Sequence, residues 1–147
     1  AQVMSFAFQV TLDAADPATL ADFWAAALGY IIQPPPAGFD SWDDWAGKMG
    51  IPEERWNDAR ALVDPEGERP RMFFQRVPEG KKAKNRLHLD ITAGGGPGVD
   101  HEDRVGAVDR HVDDLIDLGA TKVEVFRERG EYWVVMQDPE GNEFCVQ

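Results

Sequence analysis

The chain is short of positive charge, of cysteine and of long apolar runs. Its 147 residues carry 15 Lys and Arg against 27 Asp and Glu, a net charge of −12. So acidic a surface repels phosphate backbones and anionic headgroups, which excludes nucleic acid and membrane as expected partners. No stretch approaches the roughly 20 consecutive apolar residues that a transmembrane helix needs. The first eleven residues lack the basic start and apolar run of a secretory leader. The single cysteine, Cys145, excludes an internal disulfide, so a reducing cytoplasm is the expected setting. What is present, 43% hydrophobic and 29% charged residues, suits one globular domain with a core and is too short for two.

Local patterning divides the chain into two similar halves. Residues 3–12 alternate with Phe6, Phe8, Val10 and Leu12 on one face, which predicts a strand. A helix follows, with Asp16 as N-cap, Pro17 in its first turn and Leu20, Phe23, Trp24, Ala27 and Leu28 as its apolar stripe; Gly29 is the cap. Residues 30–33 read as a strand that three prolines end, and strands are expected at 60–63 and 71–77 around Asp64-Pro65-Glu66-Gly67. Strand-like alternation then returns at 86–92, with Leu87, Leu89 and Ile91 opposite Arg86, His88 and Asp90. A helix near 102–118 closed by Gly119 follows, then strands near 121–126, 132–137 and 143–147, the last after a second Asp-Pro-Glu-Gly at 138–141. The same turn in the same place of the same element order indicates a duplicated unit, about 3–78 and 85–147. The first copy carries an insert at 34–58, with Trp42, Trp45 and Trp56 among acids and a short helix.

Three stretches carry a family resemblance: LDAADPATLADFWAAALGY (12–30), PEERWNDARALVDPEGERPRMFFQRVPEGKKAKNRLHLD (52–90) and DPEGNEFCVQ (138–147). On these the chain resembles the glyoxalase-like branch of the vicinal oxygen chelate superfamily, with glyoxalase I, extradiol dioxygenases and bleomycin-resistance proteins. The resemblance implies an α+β fold, in which two βαβββ modules pair into a curved mixed sheet around a small-molecule pocket, and a homodimer. It also implies, in metal-dependent members, one divalent ion held by four residues from the first and last strands of the modules. Transferred to this chain, those places fall on Gln9, His88, Cys145 and either Phe74 or Gln75. A quartet of Gln9, Gln75, His88 and Cys145 contains no carboxylate, which argues against a catalytic divalent metal, while His88 at a ligand place argues for one. No other cofactor is identified.

The candidate residues admit two functions. One is a binding protein for an aromatic or apolar small molecule, held by Trp42, Trp45, Trp56 and Phe73 and oriented by Gln9, Gln75, Arg86 and His88. The other is a lyase or isomerase using a metal, or His88 with Asp90 as acid and base. Each residue also has a plain structural reading. His88 bonded to Asp90, glutamines on a solvated strand face, Cys145 as a small core filler and tryptophans in a satellite cluster are all ordinary. The basic run Lys81, Lys82, Lys84 and Arg86 is either an anion-binding rim or a solvated link between modules.

Overall fold

The computed structural model describes residues 4–147, which form two compact units, the first ending at Gly80 and the second spanning Lys81–Gln147. Each unit is a four-stranded mixed sheet with a long helix. In the first, β1 (Val10–Ala14), α1 (Pro17–Leu28), β2 (Ile31–Ile32), β3 (Ala59–Val63) and β4 (Met72–Arg76) give the strand order β1-β4-β3-β2. In the second, β5 (Asp90–Ile91), α3 (His101–Asp117), β6 (Thr121–Glu128), β7 (Glu131–Gln137) and β8 (Glu143–Val146) give β5-β8-β7-β6. In both, the first strand runs parallel to the last and the other pairs are antiparallel. Both units are therefore βαβββ, and the duplication expected from the sequence is real. Between β2 and β3 only the first unit carries α2 (Trp42–Lys48) and a 3-10 turn at Glu53–Arg55.

The helix signals act as their chemistry requires. The Asp16 carboxylate accepts from the Thr19 N–H at 3.2 Å, and Gly29 closes α1 in the left-handed region at φ 71°. Asp16 also accepts from Asn57 Nδ2 at 2.8 Å while Asn57 Oδ1 accepts from the Ala18 N–H at 2.9 Å, which ties the insert to the start of α1. These bonds, the one from Asn57 first, hold the Asp16 carboxyl below its ordinary pKa. Helix α1 packs on β3 and β4, where Leu20, Trp24, Leu62, Met72 and Phe74 are buried. In the second unit Val108, Val112 and Leu115 of α3 are buried, as are Val134, Met136, Phe144 and Val146 of the sheet. The Tyr132 hydroxyl donates to Asp109 and so pins α3 to β7; burial, then that bond, pushes its pKa up to about 12.

Two strands differ from expectation. Of the stretch 3–12, Val3 lies outside the described residues and residues 4–9 are not strand; Phe6 is 94% and Phe8 70% exposed. Likewise 86–92 contracts to Asp90–Ile91, and Leu87 is exposed. Alternation reports which side chains share a face, whereas a strand also needs a ladder. The paired registers begin at Val10 with β4 and at Asp90 with β8. Just before Asp90 the Leu89 carbonyl still accepts from the Cys145 N–H at 3.0 Å, but residues 4–9 and 86–88 pair with no strand among the described residues.

Candidate functional site

The two faces of the first sheet differ in chemistry because side chains alternate. Met72 and Phe74 point to α1, so Arg71, Phe73 and Gln75 share the other face. The register sets Phe73 beside Thr11 and Ala61, and Gln75 beside Asp13 and Ala59. Over this face the insert builds a cavity of about 340 Å³, lined by Trp42, Trp45 and Trp56, by Phe73 and the two alanines of β3, and by Arg55, Asp58, Arg60 and Arg71. The small alanines leave the room that the indoles enclose.

The cavity walls are held by hydrogen bonds. The Trp42 indole N–H donates to the Gln33 carbonyl at 2.6 Å and that of Trp56 to the Ile51 carbonyl at 2.9 Å. With those polar atoms satisfied, both rings are free to offer apolar surface. Trp45 meets Trp42 edge to face, with ring centroids 5.5 Å apart. Arg55 Nε donates to Asp58 at 3.0 Å, and Arg60 Nη1 donates to the Trp56 and Ala59 carbonyls.

The expected site residues separate. Trp42, Trp45, Trp56 and Phe73 line this cavity. Gln9 and Gln75 do not: Gln9 Oε1 accepts from Arg71 Nη1 at 3.0 Å, and Gln75 Nε2 donates to Asp13 at 2.8 Å. Arg86 and His88 belong to the second unit and are exposed. Of the basic run, Lys81 pairs with Glu143 at 3.0 Å, and Glu143 also accepts from the Asn85 N–H, so Lys81 serves to fasten the link. Arg71 was not foreseen. Its only trace in the sequence is its place two residues before Phe73, on the same side of the strand.

In the second unit His88, Asp90 and Cys145 come together, with their donor atoms within 4.8 Å of one another. His88 Nδ1 and Asp90 Oδ1 are 2.7 Å apart, and Asp90 stands beside Cys145 across the β5–β8 ladder. Burial and then the Asp90 carboxylate push the Cys145 thiol pKa up, so it is a weak nucleophile at neutral pH.

The family's four-ligand set does not fit these residues. His88 precedes Asp90 by two, and Asp90 pairs with Cys145; in the first unit Gln9 precedes Thr11 by two, and Thr11 pairs with Phe73. Phe73, neither Phe74 nor Gln75, is thus the counterpart of Cys145, and a phenyl ring supplies no ligand atom. The remaining oxygen of that half, on Gln9, is already bonded to a guanidinium, whose charge repels a cation. The His88, Asp90 and Cys145 trio is of ligand types that zinc accepts, but it is a different set.

Comparison with known proteins agrees with this architecture. No sequence among the curated proteins matches the chain. Among solved structures it is similar to a FosX fosfomycin resistance protein from Listeria monocytogenes, a mutant complexed with Mn(II) and a dihydroxypropylphosphonic acid. That likeness has a TM-score of 0.64 at 12% identity, over 99% of this chain and 92% of the other. A glyoxalase/bleomycin resistance protein/dioxygenase family enzyme from Burkholderia phytofirmans gives 0.60 at 17% identity, over 94% of each chain. A possible glyoxalase from Bacillus cereus gives 0.61 at 14%, over 98% and 99%. At these identities the likeness establishes the glyoxalase/bleomycin-resistance fold. The sequence profile of the glyoxalase-like domain matches residues 9–147, and the chain belongs to that family.

Proposed function

We propose that the protein binds an aromatic or largely apolar small molecule on the open face of the first sheet. The observation that carries this reading is the cavity of about 340 Å³ walled by Trp42, Trp45, Trp56 and Phe73. Pockets of a few hundred Å³ with aromatic walls and few polar groups are typical of small-ligand sites. Tryptophans bonded to backbone carbonyls are already ordered, so little further entropy is lost when a ligand stacks on them. Titration with 2-naphthamide, followed by intrinsic tryptophan fluorescence, is expected to give saturable quenching. Trp45→Ala is expected to weaken binding about tenfold or more, as for a buried aromatic contact, and Trp45→Phe to retain most of it. Quenching that never saturates, or an unchanged affinity in folded Trp45→Ala, removes the reading.

One observation favours a second reading, a lyase or isomerase of the glyoxalase-like class. The Asp90 carboxylate 2.7 Å from His88 Nδ1 favours a proton there, which leaves Nε2 as a base. Elemental analysis of protein purified without chelator or histidine tag tests its metal-dependent form. The binding reading expects substoichiometric divalent metal. One ion per chain in the wild type, lost in His88→Ala, transfers the assignment to the second unit.

A further inference from the structure

Arg71 reaches the cavity with its charge uncompensated. Nε donates to Gln33 Oε1 at 2.7 Å and Nη1 to Gln9 Oε1 at 3.0 Å, and the guanidinium carbon lies 5.4 Å from the Phe73 ring centroid. Both acceptors are neutral amides and the ring is neutral as well. Among the described residues no carboxylate stands within ion-pair distance of Arg71 and Nη2 has no hydrogen-bond partner, although the chain holds 27 acidic side chains. Of the other arginines at the cavity, Arg55 faces Asp58. Arg60 likewise meets no carboxylate among the described residues, but its Nη1 is held against the chain by the neighbouring Trp56 and Ala59 carbonyls. Arg71 is instead held by side chains from distant segments, beside the Phe73 ring. Asp58, the one acid in the lining, is held by Arg55.

The guanidinium is also fixed in position. Gln33 accepts from Arg71 with its side chain and from the Trp42 indole with its backbone carbonyl, so the arginine and the aromatic wall are anchored at one residue. A half-buried cation loses hydration, and amide oxygens restore the hydrogen bonds without neutralising the charge. A planar donor fork next to a stacking surface fits a planar anion joined to a ring.

We propose that the ligand of this cavity is an aromatic carboxylate, read by Arg71 through its free donor and its charge while the tryptophans hold the ring. The proposal rests on the small-molecule reading above and specifies its ligand class. It is tested on the full chain with three probes of one ring system: 2-naphthoate, 2-naphthamide and 2-naphthylmethylammonium. The wild type is expected to prefer the carboxylate to the amide by about 10–100-fold at low salt, the range for a charge-assisted bond, and to bind the cation most weakly. In Arg71→Gln the affinities for carboxylate and amide converge, and Arg71→Lys keeps part of the preference. Equal affinities in the wild type overturn this inference while leaving the small-molecule reading in place. Binding of none of the three removes both. A preference that survives in folded Arg71→Gln assigns the anion to another group and also overturns the proposal. The wild-type comparison decides the matter even if the variants fail to fold.

Discussion

Phe74→Ala is expected to lower folding stability by about 3–5 kcal/mol, a large part of the roughly 5–15 kcal/mol that a domain has in total. Phe74 is 0% exposed on β4, an inner strand with β1 on one side and β3 on the other. Its backbone neighbours are Leu12 and Arg60, and α1 lies over it with Leu20 and Trp24. Removing the ring opens a void between helix and sheet. The sheet cannot close it, because ladder hydrogen bonds hold β4 on both edges, so loss of contact adds to loss of burial. Phe73→Ala, one residue earlier, removes a half-buried ring from the opposite face and is expected to cost clearly less stability while weakening 2-naphthamide binding. Urea unfolding of the two variants measures the contrast. Equal losses, or a Phe74→Ala loss under about 1 kcal/mol, would mean that the two faces have been assigned the wrong way round.

How much of this was legible in the sequence depends on the range of the interaction. The Asp16 cap, the Gly29 cap and both Asp-Pro-Glu-Gly turns are set by neighbouring residues, and they were readable. The tryptophan insert announced itself by composition, because three indoles in a short acidic stretch need a surface to cover. Strand pairing is set at long range, and there the reading erred. Phe6 and Phe8 alternate as strand residues do, yet no neighbouring residue reveals whether a partner strand reaches them. The counterpart of Cys145 was misplaced for a related reason. Phe73 stands six residues after Gly67, whereas Cys145 stands four after Gly141, so the loop into β4 is longer than the one into β8. Arg71 was missed because its partners are 38 and 62 residues away. Nothing local indicates that an arginine in an acidic chain has found amides instead of carboxylates.

The turns were recognised for their proline and glycine, but their aspartates have the larger energetic role, and Asp138→Ala is expected to cost about 3 kcal/mol. Asp138 is 3% exposed, and its Oδ1 accepts from the Glu140 N–H at 2.9 Å and the Asn142 N–H at 3.0 Å. The Asn142 side-chain amide adds bonds of 3.1 and 2.9 Å to the two carboxylate oxygens. Alanine leaves two part-buried backbone donors without their charged acceptor, at the point where the chain must turn into β8. Asp138→Asn keeps one acceptor oxygen but sets an amide against the amide of Asn142, so about 1 kcal/mol is expected. Asp64 occupies the same place in the first unit, accepting from the Glu66, Glu68 and Arg69 N–H groups. The Glu66 bond first, then those from Arg69 and Glu68, hold its carboxyl below the ordinary range against the opposing effect of burial. A carboxylate whose pKa is depressed by folding stabilises the protein fully above its unfolded value of about 3.9, and that contribution disappears as pH falls through the folded value. Asp64→Asn should therefore flatten the acid limb of the stability profile and leave its neutral limb the same shape. Urea midpoints taken from pH 7 down to pH 3 measure it, and an acid limb as steep as that of the wild type would show that the turn carboxylate carries none of the acid sensitivity.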